Sequence, residues 1–177
     1  MLHLITGPMF SGKTEELQRL IRRHRAANKK VLTVIPRSDH RSGESFRSHA
    51  GRSCPAMAIR DEKELAQLFA LGAPPDVLAV DEGQFFPPSF AAALDAYRGH
   101  CEILVAALHR DYQGKVFETT QAFFAVAESI QMLTAICHVC YREAAYTYRL
   151  VETDGQILVG GAESYEARCW EHWRADL

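Results

Sequence analysis

The segment Gly7-Pro8-Met9-Phe10-Ser11-Gly12-Lys13-Thr14 decides the fold, because it fits the phosphate-binding pattern G-x-x-x-x-G-K-[ST]. It follows the apolar run 2–6, which predicts a buried strand, and precedes the amphipathic stretch 14–27, which predicts a helix. The glycines allow a tight turn whose N–H groups face a polyphosphate, and the helix adds its positive N-terminal end. Lys13 is expected to reach the β- and γ-phosphates, and the Thr14 hydroxyl to bind Mg²⁺. The alternative is an unrelated glycine-rich turn, which would not need a strand before it and a helix after it.

Further apolar runs continue this alternation of strands and helices. Strands are predicted at 31–36, 77–80 and 102–108, and helices at 61–71, 87–97 and 121–130. Strands without polar alternation, separated by amphipathic helices, indicate a parallel sheet covered on both faces. The Ser-, Gly- and Arg-rich stretch 37–52 has no periodicity and predicts a long loop. We therefore predict an α/β fold with a mostly parallel sheet.

The composition is that of an ordinary globular chain. Its 177 residues, 47% hydrophobic and 24% charged, have the size of one domain and exclude a disordered or low-complexity protein. Lys and Arg number 20 against 22 Asp and Glu, so the net charge of −2 argues against a nucleic-acid partner. The N-terminal segment lacks the basic leader of a signal peptide, and no long apolar run occurs. We expect a cytoplasmic protein with no membrane segment.

A pair of carboxylates follows the predicted strand 77–80. Asp81 ends this strand and is expected to hold the metal ion through water, while Glu82 points in a different direction and can face the phosphoryl acceptor. A carboxylate there activates water in an ATPase or accepts the proton of a substrate hydroxyl in a kinase. A surface salt bridge is the alternative without chemistry. The spacing alone does not separate these interpretations.

Aromatic and apolar residues are expected on the loops at the carboxyl ends of the strands, where ligands bind in open α/β sheets. They are Met9, Phe10, Phe85, Phe86 and Tyr112. Such residues suggest a flat ring held in a pocket, although core packing is the alternative.

The cysteines form a metal-ligand pattern. Cys137 and Cys140 are a C-x-x-C pair, and Cys169 and His172 are a C-x-x-H pair, so together they predict a Cys₃His site for Zn²⁺. A redox C-x-x-C and buried inert thiols are the alternatives. Four protein ligands leave no open position, so the zinc is expected to be structural.

A hairpin is predicted between these two pairs, with strands 146–151 and 156–159 around Asp154-Gly155. The change in pattern divides the chain into an α/β phosphate-binding domain over 1–136 and a small β-rich, zinc-binding domain over 137–177.

Together these motifs resemble the type II thymidine kinase family, shared by bacteria, animals and some large DNA viruses. Besides the phosphate loop and the zinc ligands, the resemblance rests on Asp81-Glu82-Gly83-Gln84-Phe85-Phe86, Arg142-Glu143-Ala144-Ala145-Tyr146-Thr147 and Gly160-Gly161-Ala162. It implies a RecA-like P-loop core and a zinc-held lasso that closes over a nucleoside. It also implies ATP- and Mg²⁺-dependent transfer to the 5′-hydroxyl of thymidine or deoxyuridine, usually by a homotetramer, with feedback inhibition by dTTP.

The resemblance further implies roles for single residues. Glu82 corresponds to the general base, Tyr112 to the aromatic residue that stacks on thymine, and Tyr165 to the residue that meets the sugar. Positions at the nucleotide phosphates are implied for Asp39, His40, Arg41, Asp81, Gly83 and Gln84. Positions at the nucleoside are implied for Met9, Phe85, Leu108, Thr147, Gln156, Ile157, Leu158, Val159 and Gly160.

The chain departs from the family pattern in one loop. Tyr112 stands where phenylalanine is usual, and His109-Arg110 stand where an aspartate and a small or polar residue are commoner. Two other functions stay open on the residues alone: a RecA-like ATPase that uses Glu82 to activate water, and a zinc-ribbon module that binds nucleic acid or protein. The lack of a basic stripe in 137–177 argues against the second.

Overall fold

A computed structural model of the chain describes residues 1–37, 45–47, 53–151 and 161–174, with the backbone alone at 45–47, 53 and 54. The strands are β1 Leu2–Gly7, β2 Val31–Pro36, β3 Ser45–Arg47, β4 Ser53–Pro55, β5 Met57–Ile59, β6 Val77–Val80, β7 Glu102–Leu108, β8 Ser129–Met132, β9 Ala135–Ile136, β10 Glu143–Ala144, β11 Tyr146–Arg149 and β12 Tyr165–Arg168. The helices are α1 Lys13–Ala26, α2 Glu62–Ala70, α3 Ser89–Ala96, α4 Glu118–Val126 and α5 Trp170–Arg174, and a 3₁₀ turn covers Gly83–Phe85.

A parallel sheet in the order β5-β2-β6-β7-β1-β8 forms the body of the protein. Its strands are apolar along their length because both faces are covered. Leu4 and Val80 face a cluster that includes residues of α2, α3 and α4, whereas Ile5 and Ala79 face a cluster that includes residues of α1. The predicted α/β fold with a mostly parallel sheet is confirmed.

The strand order places β7 between β1 and β6. Thr6 of β1 lies beside Ala107, and Val80 of β6 lies beside Val105. The phosphate loop after β1 and the carboxylates after β6 therefore emerge at the same edge of the sheet. One strand between these two is the arrangement expected of a RecA-like core.

The chain after the 3₁₀ turn is fixed by the core. The ring of Phe86 is buried and stacks on Phe90 of α3, with the ring centres 4.0 Å apart. The Thr119 hydroxyl donates a hydrogen bond to the Phe86 carbonyl. The segment that carries Asp81 and Glu82 is therefore anchored on both sides.

Several predicted elements differ in their bounds. The stretch 37–52 was expected to be a loop, but it contains β3, which pairs antiparallel with β4. The short strand β5, which was not predicted, extends the sheet beyond β2. The helix expected at 87–97 begins at Ser89 because Pro88 takes the N-cap position.

The helix expected at 121–130 covers Glu118–Val126 instead, and Ile130 belongs to β8. The helix ends because Ala127 has an extended backbone and the Glu128 N–H bonds to the Leu2 carbonyl, which draws the chain alongside β1. The apolar side chains of Ile130 and Met132 are exposed on this edge strand. Apolar residues in β8 therefore do not mark a buried face, and its sequence has no clear strand pattern.

The C-terminal region is β-rich, as predicted. Strand β9 pairs antiparallel with β10, and β11 pairs antiparallel with β12, so that Tyr146 lies opposite Arg168 and Arg149 opposite Tyr165. The strand β12 was not predicted, and the predicted turn Asp154-Gly155 with its second strand 156–159 lies outside the described residues. The division at residue 136 stays a prediction. In the described ranges, no helix has the length and apolar character needed to cross a membrane.

Helix α2 provides a test of local stability. The Asp61 carboxylate caps it by accepting hydrogen bonds from the N–H groups of Lys63 and Glu64, both at 3.1 Å. We expect Asp61→Ala to lower the free energy of unfolding by about 1 kcal/mol, measured by urea denaturation at pH 7. Asp61→Asn keeps a capping oxygen and should lose much less. Equal losses in the two variants would contradict the capping role.

Candidate active site and metal centre

The loop between β1 and α1 has the conformation that a phosphate requires. A Cβ on Gly7 would lie 2.4 Å from the Leu133 carbonyl oxygen and 2.7 Å from the Ser11 hydroxyl oxygen. Gly12 has a left-handed backbone, with φ of 80°, where it begins α1 without a side-chain cap. Both positions therefore need glycine, and the first N–H groups of α1 remain open to an anion.

Lys13 lies folded against this loop. Its Nζ donates a hydrogen bond to the Pro8 carbonyl oxygen at 2.5 Å. Burial of the ammonium group lowers its pKa to about 8, although the charges of Glu82 and Asp81 oppose this shift. A polyphosphate beside Lys13 would restore the ordinary preference for the charged form.

Asp81 meets Thr14 across the sheet edge. The Thr14 hydroxyl donates to Asp81 Oδ2 at 3.0 Å. Burial, and then the charge of Glu82, raise the pKa of Asp81 to about 7. A hydroxyl and a carboxylate side by side are the oxygen ligands that Mg²⁺ prefers, and a divalent cation would favour the charged carboxylate. These residues fit a magnesium site.

Glu82 has a left-handed backbone, with φ of 52° and ψ of 39°. Its N–H donates to Asp81 Oδ1 at 3.0 Å, and its Oε2 accepts from Gln84 Nε2 at 2.6 Å. Gln84 is buried, and its Oε1 accepts the N–H of Leu108 at 2.9 Å. A left-handed backbone at a residue other than glycine costs about 1–3 kcal/mol, so it persists only where neighbouring groups hold it in place. Such strained residues are common at functional sites. The Glu82 carboxylate is thus oriented by the end of β7.

The phosphate loop is also tied to the C-terminal region. The Met9 N–H donates to the Thr147 hydroxyl of β11 at 3.0 Å. Phe10 packs against a cluster of small residues that includes Ala135, Ala144 and Ala167. Residues expected at the phosphate and at the nucleoside are therefore in direct contact.

Tyr112 lies in the loop after β7, against β11. The Arg149 guanidinium carbon is 3.7 Å from the centre of the Tyr112 ring, and Arg149 Nη2 donates to the Tyr112 hydroxyl at 3.0 Å. Tyr165 is buried opposite Arg149 in the β11–β12 ribbon. These contacts bring Tyr112 and the expected sugar-binding tyrosine to the same ribbon.

The other residues expected in the pocket differ in how deeply they are buried. Phe85 is half-buried, with its ring edge against Phe117 at 6.3 Å between centres, and Leu108 is half-buried at the end of β7. Phe86 belongs to the core, which was the alternative considered for it. Two sets lie outside the described residues: Asp39, His40 and Arg41, and Gln156, Ile157, Leu158, Val159 and Gly160.

His109 is a site residue that the sequence marked only as a departure from the family pattern. It is 8% exposed, and within the described part of the chain its Nδ1 has no hydrogen-bond partner. Burial is the main cause that lowers the pKa of His109, and the charges of Arg110 and Lys13 lower it further, while the backbone of Gly7 and, less strongly, that of Ala145 oppose this shift. His109 therefore lies near Gly7 of the phosphate loop and near Ala145, which follows β10.

The four predicted zinc ligands come together. Their ligand atoms all lie within 4.8 Å of one another. His172 Nδ1 is 3.6 Å from Cys137 Sγ and 3.2 Å from Cys169 Sγ, and the sulfur atoms of Cys140 and Cys169 are 3.8 Å apart. Zn–S bonds of about 2.3 Å give tetrahedral edges of about 3.8 Å, so this set fits Zn²⁺.

The surroundings of the four side chains also favour a metal. Burial would raise the pKa of the Cys137 thiol, but the N–H groups of Cys169, Cys140 and Val139 together lower it to about 6. Arg142 Nε donates to Cys140 Sγ at 3.5 Å and pairs with Glu171. Donors aimed at sulfur stabilise thiolates, which are the form that binds zinc.

The raised pKa of Asp81 leads to a test in the protein without nucleotide or Mg²⁺. The folded protein holds a proton on Asp81 up to about pH 7, whereas the unfolded chain releases it near the ordinary pKa of an aspartate, 3.8. The charged carboxylate therefore lowers stability above pH 7, and this loss disappears as the pH falls towards 4. Asp81→Asn should raise the free energy of unfolding, by about 1 kcal/mol more at pH 8 than at pH 6. Equal effects at both pH values, measured by urea denaturation, would contradict the shift.

Similarity to known proteins assigns the chain to a family. The family model described as thymidine kinase matches residues 1–173. A thymidine kinase of Pyrobaculum aerophilum is 38% identical over 181 residues, which cover 98% of each chain. A thymidine kinase of Bdellovibrio bacteriovorus is 37% identical over 99% of this chain and 86% of its own, and a cytosolic thymidine kinase of Bos taurus is 38% identical over 95% and 69%. Among solved structures, the RuvB Holliday junction branch migration motor of Thermotoga maritima has a TM-score of 0.45 and 14% identity, covering 74% of this chain and 37% of that one. The resemblance found in the motifs is confirmed: the chain belongs to the thymidine kinase family of nucleoside kinases.

Proposed function

We propose that this chain transfers the γ-phosphate of ATP to the 5′-hydroxyl of thymidine, or of deoxyuridine, to give the 5′-monophosphate. The observation that carries the proposal is the fixed position of Glu82 beside the phosphate loop. The Glu82 N–H donates a hydrogen bond to Asp81 Oδ1 at 3.0 Å, and Glu82 Oε2 accepts one from Gln84 Nε2 at 2.6 Å. A carboxylate oriented in this way can accept a proton from a substrate hydroxyl.

The phosphate loop binds the nucleotide in this proposal. The N–H groups of the loop and of the first turn of α1 surround the phosphates, and Lys13 reaches the β- and γ-phosphates. Thr14 and, through water, Asp81 would hold Mg²⁺, which would offset the negative charge of the phosphates. Asp39, His40 and Arg41 are proposed beside the phosphates from the family resemblance alone.

Glu82 acts as the general base. As the 5′-hydroxyl oxygen bonds to the γ-phosphorus, the bond from that phosphorus to the β–γ bridging oxygen breaks and ADP leaves. The hydroxyl proton passes to a carboxylate oxygen of Glu82. The Gln84 amide, fixed in turn by the Leu108 N–H at 2.9 Å, keeps the carboxylate from rotating away. Lys13 stabilises negative charge on the transferred group.

The nucleoside is proposed to bind between the end of β7 and the β11–β12 ribbon. Tyr112 stacks on the base, Tyr165 meets the sugar, and Thr147 with the segment 156–160 reads the base edge. Met9, Phe85 and Leu108 complete the pocket. In support, Thr147 already contacts Met9, and Tyr112 already contacts β11 through Arg149.

We propose that Zn²⁺ at Cys137, Cys140, Cys169 and His172 has a structural role. When bound, it would join the start of the C-terminal region to α5 and so hold both ends of the lasso. A homotetramer, feedback inhibition by dTTP, a cytoplasmic location and the absence of nucleic-acid and membrane partners remain predictions from the sequence and the family resemblance.

Replacement of Glu82 tests the mechanism. Glu82→Gln should keep the ATP affinity within about twofold and lower kcat for thymidine by about 10²- to 10⁴-fold, because the amide cannot accept the proton. Glu15→Gln is a matched control, since Glu15 also lies near Lys13 and has no proposed role. Near-normal turnover in Glu82→Gln would remove Glu82 from the chemistry. ATP turnover by the wild type without any nucleoside would favour an ATPase.

Removal of zinc tests the role of the lasso. We expect one zinc ion per chain in the wild type and in Cys101→Ala, and loss of zinc in Cys140→Ala, measured by mass spectrometry of the metal content. Cys140→Ala should raise the Kd for thymidine at least about tenfold and change that for an ATP analogue by less than about threefold. Equal losses of affinity for both ligands would argue against a lasso role.

A further inference from the structure

Trp173 lies where the candidate metal centre meets the loop after β7. It follows the ligand His172 on α5 and is only 6% exposed. Its indole Nε1 donates a hydrogen bond to the Tyr112 carbonyl oxygen at 3.0 Å. The side chain next to a metal ligand is therefore bonded to the backbone of the residue proposed to stack on the base.

The loop that Trp173 contacts is closed on itself. The Asp111 N–H donates to the Lys115 carbonyl at 2.8 Å. The Asp111 carboxylate oxygen Oδ1 accepts the N–H groups of Gln113 at 2.9 Å and Lys115 at 2.8 Å. Residues 111–115 therefore form one compact turn, and a contact that fixes part of this turn fixes Tyr112 with it.

Trp173 touches this turn at a second place. A Cβ on Gly114, whose φ is 79°, would lie 3.0 Å from Cη2 and 3.2 Å from Cζ2 of the indole. The ring thus packs directly on the glycine backbone. The hydrogen bond and this close approach together determine both the distance and the angle between α5 and the turn.

The indole also contacts the β11–β12 ribbon. Trp173 stacks on Tyr146 of β11, with ring centres 4.6 Å apart and planes 20° from parallel. Arg149, at the other end of β11, lies over the Tyr112 ring. The backbone of Tyr112 is thus held by α5 and its ring by β11, and both elements adjoin the metal centre.

We propose that Trp173 is a positioning residue for the nucleoside: its indole N–H fixes the Tyr112 turn, so that α5 sets the height and tilt of the ring on which the base stacks. The inference rests on the proposed function, in which Tyr112 stacks on thymine. The metal centre then acts on the base through α5 and Trp173 as well as through the lasso.

A pair of tryptophan variants tests this role. Trp173→Phe keeps an aromatic ring but removes the N–H, and should raise KM for thymidine about three- to tenfold, the effect of one lost hydrogen bond, with kcat and KM for ATP within about twofold of the wild type. Trp170→Phe is the matched control, because Trp170 belongs to the same aromatic cluster, with its ring tilted 47° from that of Tyr146 at 5.5 Å between centres, and is 49% exposed. It should have wild-type values.

Fluorescence provides a readout that does not depend on turnover. The chain has 2 tryptophans, so Trp170→Phe leaves Trp173 as the single emitter and Trp173→Phe leaves Trp170. Thymidine added without ATP should shift the emission of Trp173 and leave that of Trp170 nearly unchanged. Both variants should retain one zinc ion per chain.

The possible results separate this inference from the proposed function. An unchanged KM in Trp173→Phe, or no emission change of Trp173 in Trp170→Phe while the wild type phosphorylates thymidine, overturns the inference alone. Loss of zinc in Trp173→Phe also overturns it, since the role would then be structural. A wild-type protein that phosphorylates no nucleoside overturns the proposed function and, with it, this inference.

Discussion

The hydrogen bond between the Thr14 hydroxyl and Asp81 joins the start of α1, which follows β1, to the residue that follows β6, although β1 and β6 do not pair with each other. It forms because β1 and β6 both lie parallel to β7, which brings their carboxyl ends to the same edge. A shift of one residue in the register of β6 would turn Asp81 towards the other face of the sheet. The apolar clusters that fix this register, with Val80 on one face and Ala79 on the other, therefore also fix the phosphate site. Core packing and site geometry cannot vary independently in this fold.

Charged groups that burial disfavours lie at the same edge of the sheet. Burial lowers the pKa of Lys13 to about 8 and raises that of Asp81 to about 7, so the two groups are shifted towards each other. Glu82 adds a second carboxylate on a left-handed backbone. A polyphosphate with a divalent cation brings to each group the opposite charge that it lacks. Such a ligand would bind only the folded state, so its binding energy would also stabilise the fold.

Sequence patterns predicted those elements whose conformation is determined by residues close together in the chain. The buried strands β1, β2, β6 and β7 are continuous apolar runs, and the phosphate loop is a contiguous motif that needs its glycines for close packing. The edge strand β8 was missed because its exposed Ile130 and Met132 extend the apolar pattern of the preceding helix.

Strand β12 had a signal that could have been used, since Tyr165 and Ala167 are buried and alternate with Glu166 and Arg168. Contacts between distant segments left no such signal. The bonds from Thr147 to Met9 and from Trp173 to Tyr112 join residues that are far apart in the chain, and no spacing rule relates them. These long-range contacts are the ones that connect the phosphate site, the expected base platform and the metal centre.

The small size of the C-terminal core explains why these contacts matter. Its apolar cluster consists of Ala135, Cys137, Ala144 and Ala167, whose side chains bury too little area to fold a segment alone. A metal ion is one remedy, because binding to the four ligands adds directly to folding free energy. The other is Phe10, which the phosphate loop contributes to the same cluster from a backbone with φ of 64°. Since the loop supplies the largest side chain of that cluster, a movement of the loop that displaced Phe10 would also change the packing of the β-rich region. The phosphate loop and the C-terminal region with the four candidate metal ligands therefore share one core, and each stabilises the other.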